Sequence, residues 1–140
     1  MDSYHHTITD CRLLSFQKIE SEAGTLSVLN GEEHLPFVPQ RVYYIYDLPA
    51  GAQRGGHAHK SLDQILIPIN GSFEVKIYDG QKHNTILLNN PNTGLHIKAG
   101  IWRELSNFSE GAICLTLASK KYDESDYIRE QKLFEAYKQA

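Results

Sequence analysis

"GAQRGGHAHKSLDQILIPING" spans residues 51–71 and sets two histidines between a glycine-rich loop and an apolar run. His57 and His59 are separated by one residue, and on a strand such residues project from the same face. The apolar run that follows ends at Asn70-Gly71, a pair that supplies the positive φ angles of a tight hairpin turn. The stretch therefore predicts a strand with both histidines on one face, then a second strand and a hairpin.

Strand signals of this kind recur along the chain. Short runs rich in β-branched and aromatic residues, separated by turn signals, are typical of an all-β sandwich or barrel. In one run Phe73, Val75 and Ile77 alternate with polar residues, which places one face against a core. The predicted strands are 11–19, 25–30, 40–48, 56–60, 63–70, 72–79, 84–90, 94–99, 102–108 and 112–119.

The C-terminal segment has a different pattern, typical of a short α-helix. Asp123 or Ser125 can cap this helix. Its apolar stripe is expected to consist of Ile128, Leu133, Phe134 and Tyr137. The chain has no internal repeat and no linker, so we predict one domain over residues 1–140.

Length and composition are those of a globular protein with one core. The 140 residues have a net charge of -3 with 14 scattered Lys and Arg, which argues against a nucleic-acid partner. No window approaches the ~20 apolar residues of a membrane span, and no leader pattern opens the chain, so a cytoplasmic location is predicted. Cys11 and Cys114 lie in apolar, strand-like sequence and are expected to be buried thiols.

The spacing of the opening stretch resembles the first cupin motif. Gly51, His57, His59 and Gly71 stand at the motif positions, while Gln64 occupies the place of its glutamate. The resemblance implies a small jelly-roll barrel with both histidines pointing inward.

A metal site is not expected in this barrel. In metal-binding cupins a second motif adds a histidine, but in "GIWRELSN" (100–107) Arg103 occupies that position. A protonated guanidinium has no lone pair for a metal, and Gln64 removes the anionic ligand. We therefore predict no metal and no other cofactor. His57 and His59 then act as acid and base, or each simply satisfies a hydrogen bond in the core.

The strand "QRVYYIYDL" (40–48) brings further candidate ligands. Its alternation puts Arg41 and Tyr43 on one face, which we expect to be the inner one. Buried arginines need anions, so Arg41 indicates an anionic ligand. Tyr43 either offers its hydroxyl to that ligand or packs in the core. Arg54, in the glycine-rich loop, either reaches a diphosphate or is solvated.

A closer resemblance rests on four stretches taken together. "RVYYIYD", "RGGHAHKSLDQILIPINGSFEV", "GIWRELSNFS" and "LASKKYDESDYIRE" are similar, in matching order over roughly residues 14–138, to the sugar 3,4-ketoisomerases. The resemblance implies an enzyme that moves the carbonyl of dTDP-4-keto-6-deoxyglucose from C4 to C3. Such enzymes serve the biosynthesis of deoxyaminosugars found in surface polysaccharides.

The resemblance also implies roles for individual residues. His59 is the expected base at C3, and His57 orients it or relays protons. Tyr43 handles a sugar hydroxyl, while Arg41 and Arg54 hold the diphosphate.

Two further residues are expected in the substrate pocket. They are Arg103 and Gln64. Arg103 orients the sugar or neutralises an enediolate, or else is a structural arginine paired with Glu104 or another acidic neighbour. Because some family members differ where Ala23 and Arg103 stand, the product configuration at C4, gluco or galacto, is left open.

The family resemblance implies a homodimer as well. In the family an N-terminal strand is exchanged between subunits, so the segment 11–19 is expected to complete the partner's sheet.

Two other functions remain open at this point. One is a nucleotide-sugar 3,5-epimerase, which shares the barrel. The other is a cupin that binds a nucleotide sugar without turnover.

Overall fold

The computed structural model describes residues 3–140, which form mainly antiparallel β-structure. The strands of this part of the chain are β1 (Arg12–Ser15), β2 (Gln17–Ser21), β3 (Gly24–Val28), β4 (Arg41–Ile45), β5 (Arg54–His59), β6 (Gln64–Asn70), β7 (Phe73–Tyr78), β8 (His83–Leu88), β9 (Thr93–Ile97), β10 (Trp102–Ser106), β11 (Ile113–Ala118) and β12 (Tyr127–Ile128). Its helical elements are α1 (Gly31–His34), α2 (Gln131–Lys138) and 3-10 turns at Ser3–His5, Ile8–Asp10 and Glu124–Asp126.

Two five-stranded sheets share one core and form the barrel. The first has the order β1-β9-β6-β11-β4 and the second β12-β5-β10-β7-β8, while β2 and β3 form a separate hairpin. The alternation seen in the sequence explains the layering. Phe73, Val75 and Ile77 on β7 are fully buried, whereas Lys76 between them is exposed. The prediction of an all-β jelly-roll barrel with a short C-terminal α-helix is confirmed.

The main core lies between the two sheets. Its buried members are Leu66, Phe73, Val75, Ile77, Leu88, Leu95, Ile97, Ile101, Leu105 and Cys114. A second cluster covers the outer face of the first sheet, where Phe16 and Leu35 pack on Ile65 and Ile67. These two clusters fix β6 from both faces, so its first residue, Gln64, has a defined position inside the barrel.

The C-terminal helix packs on the outside of the second sheet. Phe134 is fully buried against Ala58, Trp102 and Ile128, so Ala58 of β5 points outward. The two histidines on either side of Ala58 therefore point the opposite way, into the barrel.

Three local predictions were wrong. The predicted strand 11–19 is divided at Phe16, whose side chain turns into the second cluster, so that β1 pairs with β9 and β2 pairs with β3. Neither Asp123 nor Ser125 caps the α-helix, which begins only at Gln131; Asp123 caps the 3-10 turn, and Ser125 lies within that turn. Consequently, Ile128 belongs to β12, and Leu133 is exposed.

The four-residue helix α1 was not predicted from the sequence. Within residues 3–140, no helix combines the length and the apolar character needed to cross a membrane.

Candidate active site

The strand β5 brings both histidines to the inner wall. It begins irregularly, because Gly55 and Gly56 adopt φ angles of +84° and +69°. A Cβ atom at Gly55 would lie 3.0 Å from the carbonyl oxygen of Arg103, so glycine allows β5 and β10 to approach closely. The pairing of His57 with Arg103 across these strands places the imidazole and the guanidinium side by side.

Arg103 is a buried cation without a counter-ion. Its Nη1 donates to Gln64 Oε1 at 2.5 Å and its Nη2 to the carbonyl of Ile101 at 3.0 Å, while Nε has no partner. No carboxylate of the described residues forms an ion pair with it. Burial lowers the pKa of Arg103 to about 10, which still leaves it protonated at neutral pH. The barrel therefore holds a positive charge that an anionic group could neutralise.

The pairing of Arg103 with Glu104, one of the two expectations for this arginine, was wrong. Glu104 accepts a hydrogen bond from the indole of Trp102 at 2.9 Å instead. The reason is strand alternation, since neighbouring residues of β10 point to opposite faces.

Gln64 connects the arginine to a tyrosine. Its Nε2 donates to the hydroxyl of Tyr43 at 3.1 Å, while its Oε1 accepts from Arg103. The hydroxyl and the guanidinium are thus held in one hydrogen-bonded chain. The inward orientation of Tyr43 agrees with the expected alternation of β4, since Tyr44 and Tyr46 on the other face are exposed.

Both histidines are neutral in this environment. Burial, followed by the charge of Arg103, lowers the pKa of His57 to about 3 and that of His59 to about 2. Nε2 of His57 and both ring nitrogens of His59 are buried without a hydrogen-bond partner. Each neutral imidazole has a lone pair, so either ring can accept a proton.

A cavity of about 80 Å³ brings most of the expected residues together. Its lining includes Tyr43, Arg54, His57, Gln64 and Arg103, together with Ile45, Gly55, Leu66, Leu105, Cys114 and Thr116.

Two expected residues lie outside this lining. His59 is fully buried next to His57, with a ring-centroid separation of 4.8 Å. Arg41 lies over the ring of Tyr43 at 4.6 Å, and its Nη1 is buried without a partner. Arg41 and Arg54 therefore do not line this cavity together.

The segment before α2 adds two residues that the sequence did not reveal. Tyr127 pairs with His59 in the sheet, and its ring lies 4.3 Å from that of His59 and 5.0 Å from that of His57. Asp126 Oδ2 lies 3.6 Å from His59 Nδ1. A strand of two residues has no recognisable pattern, so no local signal could have distinguished it from the start of a helix.

The donor set does not fit a metal ion. At the fourth position of the cupin site the guanidinium of Arg103 is hydrogen bonded to Gln64, which leaves two imidazoles as ligands. No cluster of three or more His, Cys, Asp or Glu side chains suited to a metal was found within residues 3–140. Metal independence stays a prediction that needs a direct test.

The barrel with its buried histidines and unpaired arginine defines a cupin-type site built for an anionic ligand. The profile of the family "FdtA: WxcM-like, C-terminal" matches residues 9–139, so the chain belongs to this family. It is 39% identical over 126 residues to the TDP-4-oxo-6-deoxy-alpha-D-glucose-3,4-oxoisomerase of Aneurinibacillus thermoaerophilus, covering 90% of this chain and 91% of that protein.

Two solved structures are similar over nearly the whole length. A 3,4-ketoisomerase from Helicobacter canadensis superposes with a TM-score of 0.91 at 42% identity, covering 94% of this chain and 98% of that one. The sugar 3,4-ketoisomerase QdtA from Thermoanaerobacterium thermosaccharolyticum, solved in complex with TDP, superposes with a TM-score of 0.92 at 37% identity. The match covers 95% of this chain and 97% of that one. The resemblance to sugar 3,4-ketoisomerases that the sequence indicated is confirmed.

Proposed function

We propose that this protein is a ketoisomerase that moves the carbonyl of TDP-4-keto-6-deoxyglucose from C4 to C3. The observation that carries the proposal is the buried guanidinium of Arg103, which has no carboxylate partner and lies beside two neutral imidazoles. A reaction that removes a proton from carbon and creates an oxyanion needs these two features in one place. The curated relative that is 39% identical carries out a 3,4-oxoisomerisation, which agrees with this chemistry.

The reaction needs only proton transfers. Removal of the C3 proton moves its electron pair into a C3–C4 double bond, and the C4 carbonyl oxygen becomes the oxyanion of an enediolate. The electron pair of this double bond then takes up a proton at C4, the O3–H electron pair forms the C3 carbonyl as its proton leaves, and the oxyanion on O4 takes up a proton to become a hydroxyl. No electron acceptor enters this balance, so acid and base groups are sufficient.

We assign His59 as the base and His57 as the group that orients it or relays its proton. His57 lines the cavity, and His59, which does not line it, lies next to His57 with 4.8 Å between the ring centroids, so His57 can carry a proton between the cavity and His59. The low pKa values keep both rings neutral, which is the form that accepts a proton.

Arg103 is the proposed partner of the enediolate oxygen. It is already desolvated and fixed by two hydrogen bonds, so it needs no reorganisation when the negative charge develops. Tyr43, held by Gln64, would contact a sugar hydroxyl.

We propose that Arg41 and Arg54 bind the diphosphate from two sides. Arg54 reaches the cavity from the glycine-rich loop, and Arg41 has an unpartnered nitrogen beside Tyr43. Arg41 is among the charges that lower the pKa of His59. A diphosphate on Arg41 would therefore raise this pKa and make His59 a better base in the complex.

A homodimer is proposed from the same family resemblance. On the β2–β3 hairpin Ile19 pairs with Leu26, and both side chains are more than half exposed. A partner that covers this pair would remove the exposed apolar surface.

The product has its carbonyl at C3, the position where an amino group can then replace it. We therefore place the reaction in the biosynthesis of deoxyaminosugars.

The decisive experiment is incubation of the protein with TDP-4-keto-6-deoxyglucose in D₂O, followed by NMR of the sugar. A ketoisomerase yields the 3-keto isomer with deuterium at C4. An epimerase leaves the keto group at C4 and introduces deuterium at C3 and C5. A protein that only binds the nucleotide sugar introduces no deuterium, which would refute the proposal.

A further inference from the structure

We propose that Thr116 is a substrate-binding residue whose hydroxyl forms a hydrogen bond with a hydroxyl group of the bound hexose. This inference rests on the proposed function, in which the cavity between the two sheets holds the sugar. It adds a residue that distinguishes the sugar from the nucleotide alone.

The first argument is the position of Thr116 in the barrel. Thr116 lies on β11, where its backbone pairs with Tyr43 of β4 on one side and with Leu66 of β6 on the other. Its side chain is 2% exposed and lines the cavity. His57 and Arg103 line the same cavity from strands of the second sheet. A molecule bound between the sheets therefore has Thr116 on one side and the two groups proposed for the reaction on the other.

The second argument is that the hydroxyl of Thr116 has no strong partner. Within residues 3–140, its hydrogen-bond contact is with the thiol of Cys114, at 3.8 Å between oxygen and sulfur. A thiol is a weak donor and a weak acceptor. Burying a hydroxyl without a good partner costs free energy, and a valine of similar shape would avoid this cost. The position thus holds a polar atom that the packing of the barrel does not need.

The third argument is that the neighbouring polar side chains of the first sheet are already engaged with one another. Gln64 accepts from Arg103 through Oε1 and donates to the hydroxyl of Tyr43 through Nε2. Thr116 takes part in neither hydrogen bond. Its hydroxyl can therefore both donate to a ligand and accept from it, as binding of a sugar hydroxyl requires.

The fourth argument is the apolar character of the remaining lining. Ile45, Leu66 and Leu105 offer no hydrogen-bonding group to Thr116. The cavity has a volume of about 80 Å³, so a sugar that enters it displaces the water that could otherwise satisfy the hydroxyl. The sugar is then the group left to pair with Thr116, and the low local dielectric strengthens that hydrogen bond.

The test compares the affinities of two ligands by calorimetric titration. TDP has no sugar, whereas TDP-6-deoxyglucose carries the hexose but no ketone and so cannot be isomerised. The ratio of the two dissociation constants isolates the effect of the sugar. Because neither ligand reacts, this readout does not depend on turnover and separates the inference from the proposed function.

Two variants of Thr116 separate the hydroxyl from the shape of the side chain. Thr116→Val should weaken binding of TDP-6-deoxyglucose about three- to tenfold and binding of TDP less than about twofold, since one neutral hydrogen bond is lost. Its free energy of unfolding without ligand should equal or exceed that of the wild-type protein, because no strong hydrogen bond of the free protein is removed. Thr116→Ser retains the hydroxyl, so the affinity ratio should stay within about twofold of wild type even if loss of the methyl group lowers stability.

Several results would overturn the inference. One is an affinity ratio in Thr116→Val that equals the wild-type ratio. Another is a Thr116→Val variant that is less stable than the wild-type protein or does not fold, which would assign the hydroxyl to the fold. A third is a Thr116→Ser variant whose affinity ratio changes as much as that of Thr116→Val. If the wild-type protein does not turn over TDP-4-keto-6-deoxyglucose while Thr116→Val alone weakens sugar binding, the proposed function fails and the contact with the hexose stands.

Discussion

Acidification should destabilise the folded protein through His57 and His59. In an unfolded chain a histidine has a pKa near 6.5, whereas burial and Arg103 lower the folded-state values to about 3 and about 2. Between these limits the unfolded state binds more protons than the folded state. The stability that the two neutral histidines contribute is therefore fully present above pH 6.5 and is lost as pH falls through this window.

The expected loss follows from the difference in bound protons. Each histidine that stays neutral in the fold lowers the free energy of unfolding by about 2 kcal/mol between pH 7 and pH 5, or about 4 kcal/mol for the pair. Carboxyl groups such as Asp63, whose pKa its hydrogen bond with His96 helps to lower, add to the loss at more acid pH. Because these carboxyl groups are present in every variant, their contribution to the pH dependence cancels when two variants are compared.

Urea unfolding at pH 7, 6 and 5 measures this dependence. The double variant His57→Asn, His59→Asn should lose about 4 kcal/mol less than the wild-type protein over the same interval. Equal pH dependence of the two proteins would refute the reasoning, because it would mean that the histidines titrate in the fold as they do in the unfolded chain.

Three further outcomes are expected. Dialysis against a strong chelator should leave turnover unchanged, because Arg103 occupies a ligand position; activity lost and then restored by one divalent metal would contradict this. Sedimentation should show a dimer at micromolar concentration that Ile19→Asp weakens, and a fully active monomer would argue against the exchanged strand. Gly55→Ala should destabilise the fold by about 1–3 kcal/mol, because its φ is +84° and the new Cβ would meet Arg103. Gly51→Ala, at a position with a similar φ but open space around it, should lower the free energy of unfolding by less in the same assay. Equal losses of stability in the two variants would contradict the role of the contact between Gly55 and β10.

The sequence was sufficient for the barrel because its signals are local. Alternation in β7 and the histidine pair of β5 each define an inner face without reference to the rest of the chain. The alternation of β4 likewise predicted that Tyr43 points inward. These are properties of single strands, which a sequence records directly.

The contacts between distant segments were not predictable in this way. The hydrogen bonds of Gln64 to Tyr43 and Arg103 join three strands, and only the folded chain shows that both ends of the amide are used. Likewise, Asp126 reaches His59 through the two-residue strand β12, whose pairing with β5 has no pattern of its own. Asp123 in this segment resembled a helix cap, but the residues after the 3-10 turn pair with β5 as the strand β12 and do not continue as a helix.

The central claim is that His59 takes the C3 proton, and the most direct test is His59→Asn. Asparagine keeps the polarity and much of the shape of the side chain but cannot accept the proton. Turnover of TDP-4-keto-6-deoxyglucose and affinity for TDP should be measured on the same preparation. We expect the rate to fall by at least ~10²-fold while TDP affinity changes by less than about threefold, since Arg41 and Arg54 remain. A variant that keeps more than about a tenth of the wild-type rate, with TDP still bound, would show that His59 is not the base.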